Sequence, residues 1–333
     1  MAVKTHGYGI LGMGMYVSEN VITNADLEKL VDTNDEWIVQ RTGIRERRKQ
    51  PPGKATTDMA IRASRQAIER AGIDPEEIDV IIVCTCSPDN VCPNVACEVQ
   101  EALGLGGQCA CFDLNAACTG WVYGMSVATS FMRAGVYKKA LVIGAETITR
   151  FIDYADRATC VLFGDGGGAA VVGATGEDRG LVGQFLGADG RSKDILRLYD
   201  TGSMTRTGDP GGSEIGSRVE MYGQEVFKFA VKAVRKAINN ALEDAGQGLT
   251  MADLDMVFSH QANLRIIEMA ASISKIPMEK FFVNVHKYGN TSAASIPMAL
   301  FEAEEEGRLK RGDLVCAVSF GGGMTFGASV WVW

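Results

Sequence analysis

Apolar residues along this chain recur at two periods. Between 58 and 71, Ala60, Ala63, Ala67, Ile68 and Ala71 fall near one face of a helix that Gly72 closes. Between 225 and 245, Phe227, Ala230, Val231, Val234, Ile238, Ala241 and Leu242 recur at spacings of three and four, which predicts an amphipathic helix of about six turns. Short apolar runs bounded by turn residues predict buried strands at 9–14, 80–83, 112–114, 140–143 and 169–172. A second series follows at 181–185, 254–258, 282–285, 313–318 and 327–332. In each half a helical stretch follows the third strand, from 117 to about 135 and from 292 to 305.

The two series run in the same order, and the offset stays near 171 to 176 residues through their first four strands and the helix after the third. An internally duplicated α/β protein is expected, with halves 1–175 and 176–333, each built as β-α-β-α-β-β. Two mostly parallel sheets with covering helices, related by a pseudo-twofold axis, follow from that order. The loops facing the axis are 87–94, 115–120, 259–263, 288–292 and the glycine turns at 164–168 and 321–323. Between the halves, the Gly-, Ser- and Thr-rich stretch 201–217 reads as a surface excursion without chemistry of its own.

Composition narrows the class. The chain has 333 residues, 22% charged and 46% apolar, and no apolar run approaches the ~20 residues a membrane span needs. The first dozen residues carry no secretory signal, so a cytoplasmic protein is expected. A net charge of −8 disfavours nucleic-acid binding. The nine cysteines are odd in number and lie in apolar segments, which argues against a disulfide framework. Cys84/Cys86 and Cys109/Cys111 are two apart, so each pair shares a strand face as packed side chains rather than zinc ligands.

One cysteine stands apart. In Phe112-Asp113-Leu114-Asn115-Ala116-Ala117-Cys118-Thr119-Gly120, Cys118 sits where a strand gives way to a helix. A helix N-terminus can lower a thiol pKa into the reactive range; an inert packed thiol is the competing reading. Of three histidines, His260 alone directly follows a buried strand at an end facing the axis; His6 lies near the N-terminus and His286 before the loop. Asn290, in Gly289-Asn290-Thr291-Ser292-Ala293-Ala294-Ser295, falls in the second-half counterpart of the Cys118 turn, where a cap or turn former would also serve. Duplication brings Cys118, His260 and Asn290 together as nucleophile, proton-handling or donor group, and neutral amide donor.

Further stretches run through the chain: Asp35-Glu36-Trp37-Ile38 with Arg41-Thr42-Gly43-Ile44, Phe163-Gly164-Asp165-Gly166 with Ala169-Ala170-Val171, His260-Gln261-Ala262-Asn263-Leu264-Arg265-Ile266-Ile267, and Phe320-Gly321-Gly322-Gly323. With the Cys118 and Asn290 segments, they resemble the β-ketoacyl-acyl carrier protein synthase III family along nearly the whole chain. These are thiolase-fold enzymes that begin fatty acid synthesis. The His260 and Asn290 segments separate this family from thiolase-fold relatives with other catalytic sets.

The resemblance implies a thiolase-like fold layered α-β-α-β-α, working as a cytoplasmic homodimer without metal or redox cofactor. It implies that a Cys118 thiolate attacks an acyl-coenzyme A thioester, with the oxyanion held by N–H groups of Cys118 and the Gly322 turn. Malonyl-acyl carrier protein then loses CO2, and His260 and Asn290 donate to the enolate oxygen. Trp37 and Arg41, four apart on a helix, match the coenzyme A adenine clamp. Arg157 and Arg265 match positions near its phosphates, and Asn263 one on the pantetheine arm.

Lys228, Lys232, Arg235 and Lys236 fall opposite the apolar stripe of their helix. An acidic carrier protein needs a basic dock, so Lys228 and Arg265, with the segment Gln261, Ala262, Asn263 and Leu264, are the docking expectation. Where relatives often carry a basic pair this chain has Ser272-Ile273, and Gln224 stands where Asn is common. Cys92 occupies a position often held by a large aromatic contributed across the dimer interface. With Ile148 and Met324 it is expected to line the acyl pocket and to admit primers longer than acetyl. A condensing enzyme of secondary metabolism and a Cys-His-Asn hydrolase are the competing functions; no papain-type signature surrounds Cys118.

Overall fold

A computed structural model describes residues 3–198 and 218–333, so the stretch 201–217 lies outside the described residues. The first half runs β1 (Tyr8–Tyr16), β2 (Val21–Thr23), α1 (Asn24–Leu27), α2 (Asp35–Thr42), β3 (Glu46–Arg48), α3 (Thr56–Ala71), β4 (Val80–Cys84), α4 (Val95–Ala102), β5 (Ala110–Leu114), α5 (Gly120–Arg133), β6 (Ala140–Glu146), α6 (Arg157–Cys160) and β7 (Gly166–Ala174). The second runs β8 (Gly180–Ala188), β9 (Leu196–Leu198), β10 (Val219–Met221), α7 (Gly223–Asp244), β11 (Met256–Ser259), α8 (Leu264–Ser274), α9 (Val285–Tyr288), α10 (Ser295–Glu305), β12 (Leu314–Gly321) and β13 (Thr325–Val332).

Two sheets carry the fold, ordered β1-β7-β6-β4-β5 and β11-β12-β13-β8. Both are mixed, which corrects the expectation of mostly parallel sheets. Strands β4, β5 and β6 are parallel, but β7 runs antiparallel to both β6 and β1. In the second sheet only β11 and β12 are parallel, and β13 reverses against both its neighbours. The reversal follows from chain length: parallel neighbours need a long crossover, whereas a turn at Gly322–Met324 joins β12 directly to β13.

The layering is α-β-α-β-α. Helices α5 and α10 lie between the sheets, with Trp121, Met125, Ile296 and Leu300 packed on Ile82 and Val142 of one and Phe258 and Val315 of the other. Helix α3 covers one outer face through Ala60, Ala63 and Ala67, and α7 and α8 cover the other through Ala230, Val234, Ile267 and Ala270. The alanines predicted on one helix face thus form the contact that lets a helix lie close on a sheet.

Two expectations fail locally. The run 282–285 is not a strand: Phe281 makes a single bridge to Val257, and Val285 already opens α9. The Gln261 side chain takes the place of a neighbouring strand. Its Nε2 donates to the Phe282 carbonyl, and its Oε1 accepts from the N–H groups of Asn284 and Val285. The constant offset also breaks at the last strand. Residues 147–165 separate β6 from β7, while a three-residue turn separates β12 from β13. The first half's extra segment carries Ile148, Arg157 and Phe163 to the functional cleft.

The duplication is sharpest at two elbows. Asn115 Oδ1 accepts from the Ala117 N–H at 3.1 Å, and Asn290 Oδ1 accepts from the Ser292 N–H at 2.9 Å. Ala117 and Ser292 then adopt left-handed backbone, with φ of 48° and 50°. That conformation costs a non-glycine residue about 1–2 kcal/mol, and here the paired side-chain turn holds it. By this register the equivalent of Asn290 is Asn115, and Cys118 corresponds to Ala293. Each elbow presses on the other half's sheet. A Cβ on Gly144 would meet the Ala293 carbonyl oxygen at 2.3 Å, and one on Gly321 would meet the Cys118 nitrogen at 2.7 Å. Only glycine permits either approach.

Candidate active site

The elbow puts Cys118 in a 3-10 turn, Ala117–Thr119, that leads directly into α5. Its carbonyl is held by the Ser319 hydroxyl at 2.8 Å. Its N–H precedes the first bond of the turn, which Thr119 makes to Ala116, so the turn itself leaves that donor unused. The expected depression of the thiol pKa is not what results. Cys118 is buried, and burial pushes its thiol up to about 12, while a hydrogen bond with Ser292 pulls the other way. The resting group is a thiol.

His260 follows β11, its N–H bonded to the Val318 carbonyl at 2.8 Å. Its Nδ1 lies 2.7 Å from Ser295 Oγ, and its ring meets Phe320 edge-on with centroids 5.3 Å apart. Burial lowers its pKa to about 3, so the imidazole is neutral at working pH. Ser295 Oγ also accepts from the Gln261 N–H, at 3.4 Å. With Ser295 Oγ donating to Nδ1, Nε2 is the ring nitrogen that carries the imidazole proton. Ser295, the first residue of α10, was missed in sequence; hydroxyls at helix starts usually cap, and nothing local pairs it with a residue 35 positions away. Asn290 has its Oδ1 occupied by Ser292, which leaves its Nδ2 as the free donor end.

Cys118, His260 and Asn290 line one cavity of about 260 Å³, together with Trp37, Arg41, Phe163, Asn263 and Phe320. At its outer end the Arg157 guanidinium lies 4.9 Å above the Trp37 ring and that of Arg41 5.9 Å away. Asn263 ties this end to the core, its Nδ2 donating to the Arg41 carbonyl and its Oδ1 capping α8 at Arg265. A second cavity of about 480 Å³ extends beyond Cys118, bordered by Cys86, Ile148, Phe163, Leu196, Leu198, Val219, Ser292 and Gly322. Lys228 and Arg265, both exposed, share a shallow surface groove with Arg41 and Asn263 at the mouth.

Several expected positions fall elsewhere. Gln261 is buried and its amide is spent bracing the chain before α9, so it cannot touch a carrier protein. Ala262 is buried and borders the cavity rather than the surface, and Leu264 packs against Gly43. Met324 is fully buried and borders neither cavity. Cys92 lies exposed on the loop after β4 and borders neither cavity. Among the described residues no helix is long and apolar enough to cross a membrane.

A buried thiol at one elbow, lining a cavity with two neutral side chains in a layered, duplicated fold, is the arrangement of the thiolase-like condensing enzymes. The chain belongs to the β-ketoacyl-acyl carrier protein synthase III family. Residues 112–190 match the family profile described as 3-oxoacyl-[acyl-carrier-protein] synthase III, and 244–333 match that of its C-terminal part. The β-ketoacyl-[acyl-carrier-protein] synthase III of Fusobacterium nucleatum is 49% identical over 325 residues, 98% of each chain. That of Clostridium acetobutylicum is 47% identical over 97% of this chain and 98% of its own. Among solved structures, the 3-oxoacyl-[acyl-carrier-protein] synthase III of Aquifex aeolicus superposes with a TM-score of 0.90 at 42% identity, covering 98% of this chain and 100% of that one. The priming β-ketosynthase of the R1128 polyketide pathway superposes at 0.88 with 34% identity, covering 100% and 98%.

Proposed function

We propose that this protein condenses an acyl-coenzyme A primer with malonyl-acyl carrier protein to give a 3-oxoacyl-acyl carrier protein, the step that initiates fatty acid synthesis. The observation that carries this reading is the convergence of Cys118, His260 and Asn290 on one cavity, with His260 and Asn290 each held by a hydrogen bond to a neighbouring serine.

Cys118 sulfur attacks the primer's thioester carbon, and the Cys118 N–H with the Gly322 turn stabilises the oxyanion. Coenzyme A leaves as the C–S bond breaks. The malonyl thioester then enters, CO2 departs, and the enolate oxygen takes hydrogen bonds from His260 Nε2 and Asn290 Nδ2. Neither donor is charged, so neither quenches the carbanion before it attacks the acyl carbon. Collapse of the adduct expels Cys118 thiolate. The two thioesters suffice as reactants, without a metal or redox group.

Trp37 with Arg41 and Arg157 offers an aromatic face and guanidinium groups for the coenzyme A nucleotide. Lys228 and Arg265 suit an acidic carrier at the mouth. Val91 is 88% exposed beside Cys92, an apolar tip suited to a second copy of the chain, and a homodimer in the cytoplasm fits this reading. The second cavity exceeds what an acetyl group fills, which supports longer or branched primers.

Condensation assayed with acetyl-, butyryl- and isobutyryl-coenzyme A and malonyl-acyl carrier protein tests the whole. Carrier-dependent 3-oxoacyl product is expected, with the four-carbon primers turned over at least as fast as acetyl. Release of free acid without a carbon–carbon product would overturn the synthase reading, and a large acetyl preference would overturn the primer reading. A condensing role in secondary metabolism has the 34% identical priming ketosynthase in its favour; exclusive use of a polyketide carrier would select it.

The pH dependence follows from burial of His260. A group whose folded pKa is depressed to about 3 keeps its neutral form far below the ordinary histidine range near 6.5. Malonyl decarboxylation should therefore stay level between about pH 8 and pH 5. An inflection close to 6.5 would show that the imidazole titrates freely.

A further inference from the structure

Behind Cys118 lies a carboxylate that the mechanism above does not use. Glu146, the last residue of β6, has no exposed surface, and no cation pairs with it among the described residues. Five donors converge on it. Thr85 Oγ1 donates at 3.0 Å, the Cys86 N–H at 3.1 Å, the Cys86 thiol at 3.2 Å and Ser292 Oγ at 2.9 Å, and the Ser87 hydroxyl makes the fifth bond.

The proton directions are set by the backbone. Thr85 Oγ1 accepts from the Ser87 N–H, Ser87 Oγ accepts from the Thr147 N–H, and both hydroxyls donate to Glu146. These donors favour the charged carboxylate, while complete burial raises the Glu146 pKa. Among the described residues no backbone N–H binds Ser292 Oγ, and the Cys86 thiol lies 4.0 Å from it. Ser292 and Cys118 border the same cavity, and Ser292 acts on the thiol by lowering its pKa. The left-handed turn held by Asn290 aims the Ser292 side chain at Glu146 beside Cys118.

We propose that Ser292 and Glu146 form a relay that takes the Cys118 thiol proton during acylation. The Cys118 S–H bond breaks as its proton passes to Ser292 Oγ, and the Ser292 proton passes to Glu146 Oε1. The sulfur's electron pair forms the new bond to the acyl carbon, and coenzyme A leaves as a thiolate that takes a proton from water. When condensation expels Cys118 thiolate, the proton returns from Glu146 by the same route. Ser292 touches the reacting sulfur and is catalytic; Glu146 acts through it as a positioning residue and proton acceptor. Burial raises the pKa of both the thiol and the carboxylic acid. His260 is thereby left neutral for the decarboxylation step.

The inference rests on Cys118 as acyl acceptor, and its test separates the two. Glu146→Gln and Ser292→Ala are compared with wild type for single-turnover acylation by acyl-coenzyme A, followed by intact-protein mass from pH 6 to 10. Both variants are expected to acylate at least tenfold more slowly at pH 7, with the deficit closing as pH rises and hydroxide forms the thiolate directly. Malonyl decarboxylation by the same samples reports that the site is assembled. A relay-independent carboxylate only burdens the thiolate electrostatically, so acylation by Glu146→Gln as fast as wild type, or faster, would overturn the relay. A deficit equal at every pH would overturn it too, leaving a structural role. If Glu146→Gln does not fold, Ser292→Ala alone decides by the same criteria. Wild type that is never acylated would instead remove the synthase reading.

Discussion

Cys118→Ala should form no acyl-enzyme with any acyl-coenzyme A and should lose condensation by about 10⁴-fold or more, the scale on which removing the nucleophile disables an acyl-transfer site. The loss is specific in kind. Decarboxylation of malonyl-acyl carrier protein should persist, because the hydrogen bonds that hold His260 and Asn290, to Ser295 Oγ and from the Ser292 N–H, do not involve the thiol. The substitution removes one sulfur from a site that is already a tight elbow, and the alanine at the equivalent position of the second half, Ala293, shows that the turn accepts a methyl side chain. Intact-protein mass after incubation with primer, with CO2 release measured alongside, checks both halves of the statement. Condensation persisting above a hundredth of the wild-type rate would mean that another group carries the acyl chain.

Asn290→Asp separates the second step from the first. Aspartate keeps an Oδ1 to accept from the Ser292 N–H, so the elbow and its left-handed residue are retained. The other end changes from a donor amide to a carboxylate oxygen facing the position of a developing oxyanion. Loss of one such donor costs about 10²- to 10³-fold, and a like charge in its place adds to that. Decarboxylation and condensation should fall together by at least 10³-fold, while acylation of Cys118 changes less than tenfold. Asn290→Ala is the poorer probe, since it also removes the acceptor that holds Ser292. Parallel loss of acylation and decarboxylation in Asn290→Asp would show that the residue shapes the elbow rather than binding the enolate.

How legible these features are differs from residue to residue. The helices at 56–71 and 223–244 were visible because their alanines and valines repeat at helical spacing against a polar background. The buried strands β4, β6 and β12 were visible as short apolar runs, and the duplication as their repeated order. Helices α4 and α8 went unread, although Asn94 and Asn263 cap them; each is short and follows a strand end whose residues read equally well as loop. The run 282–285 misled because its apolar residues are buried by a glutamine side chain that supplies the pairing a strand would have supplied. Gln261 itself was read as surface because polarity in a motif suggests contact, while its burial depends on where Phe282 lies.

The amino-acid order alone determined what is local or repeated: the helix and strand series, the two halves, the strand-to-helix turn that holds Cys118, and the motifs that identify the family. Sequence spacing encodes these directly, since side chains three, four or two apart share a face whatever else the chain does. Tertiary structure decided what depends on groups far apart in the chain. It set Ser295 on His260, Ser292 on Glu146 beside Cys118, and the state of the thiol, whose pKa burial raises where a helix start alone would lower it. Desolvation and proton direction are properties of the assembled surroundings: a residue's own neighbours in sequence contribute little to either, and the residues that contribute most here lie 35 and 146 positions away.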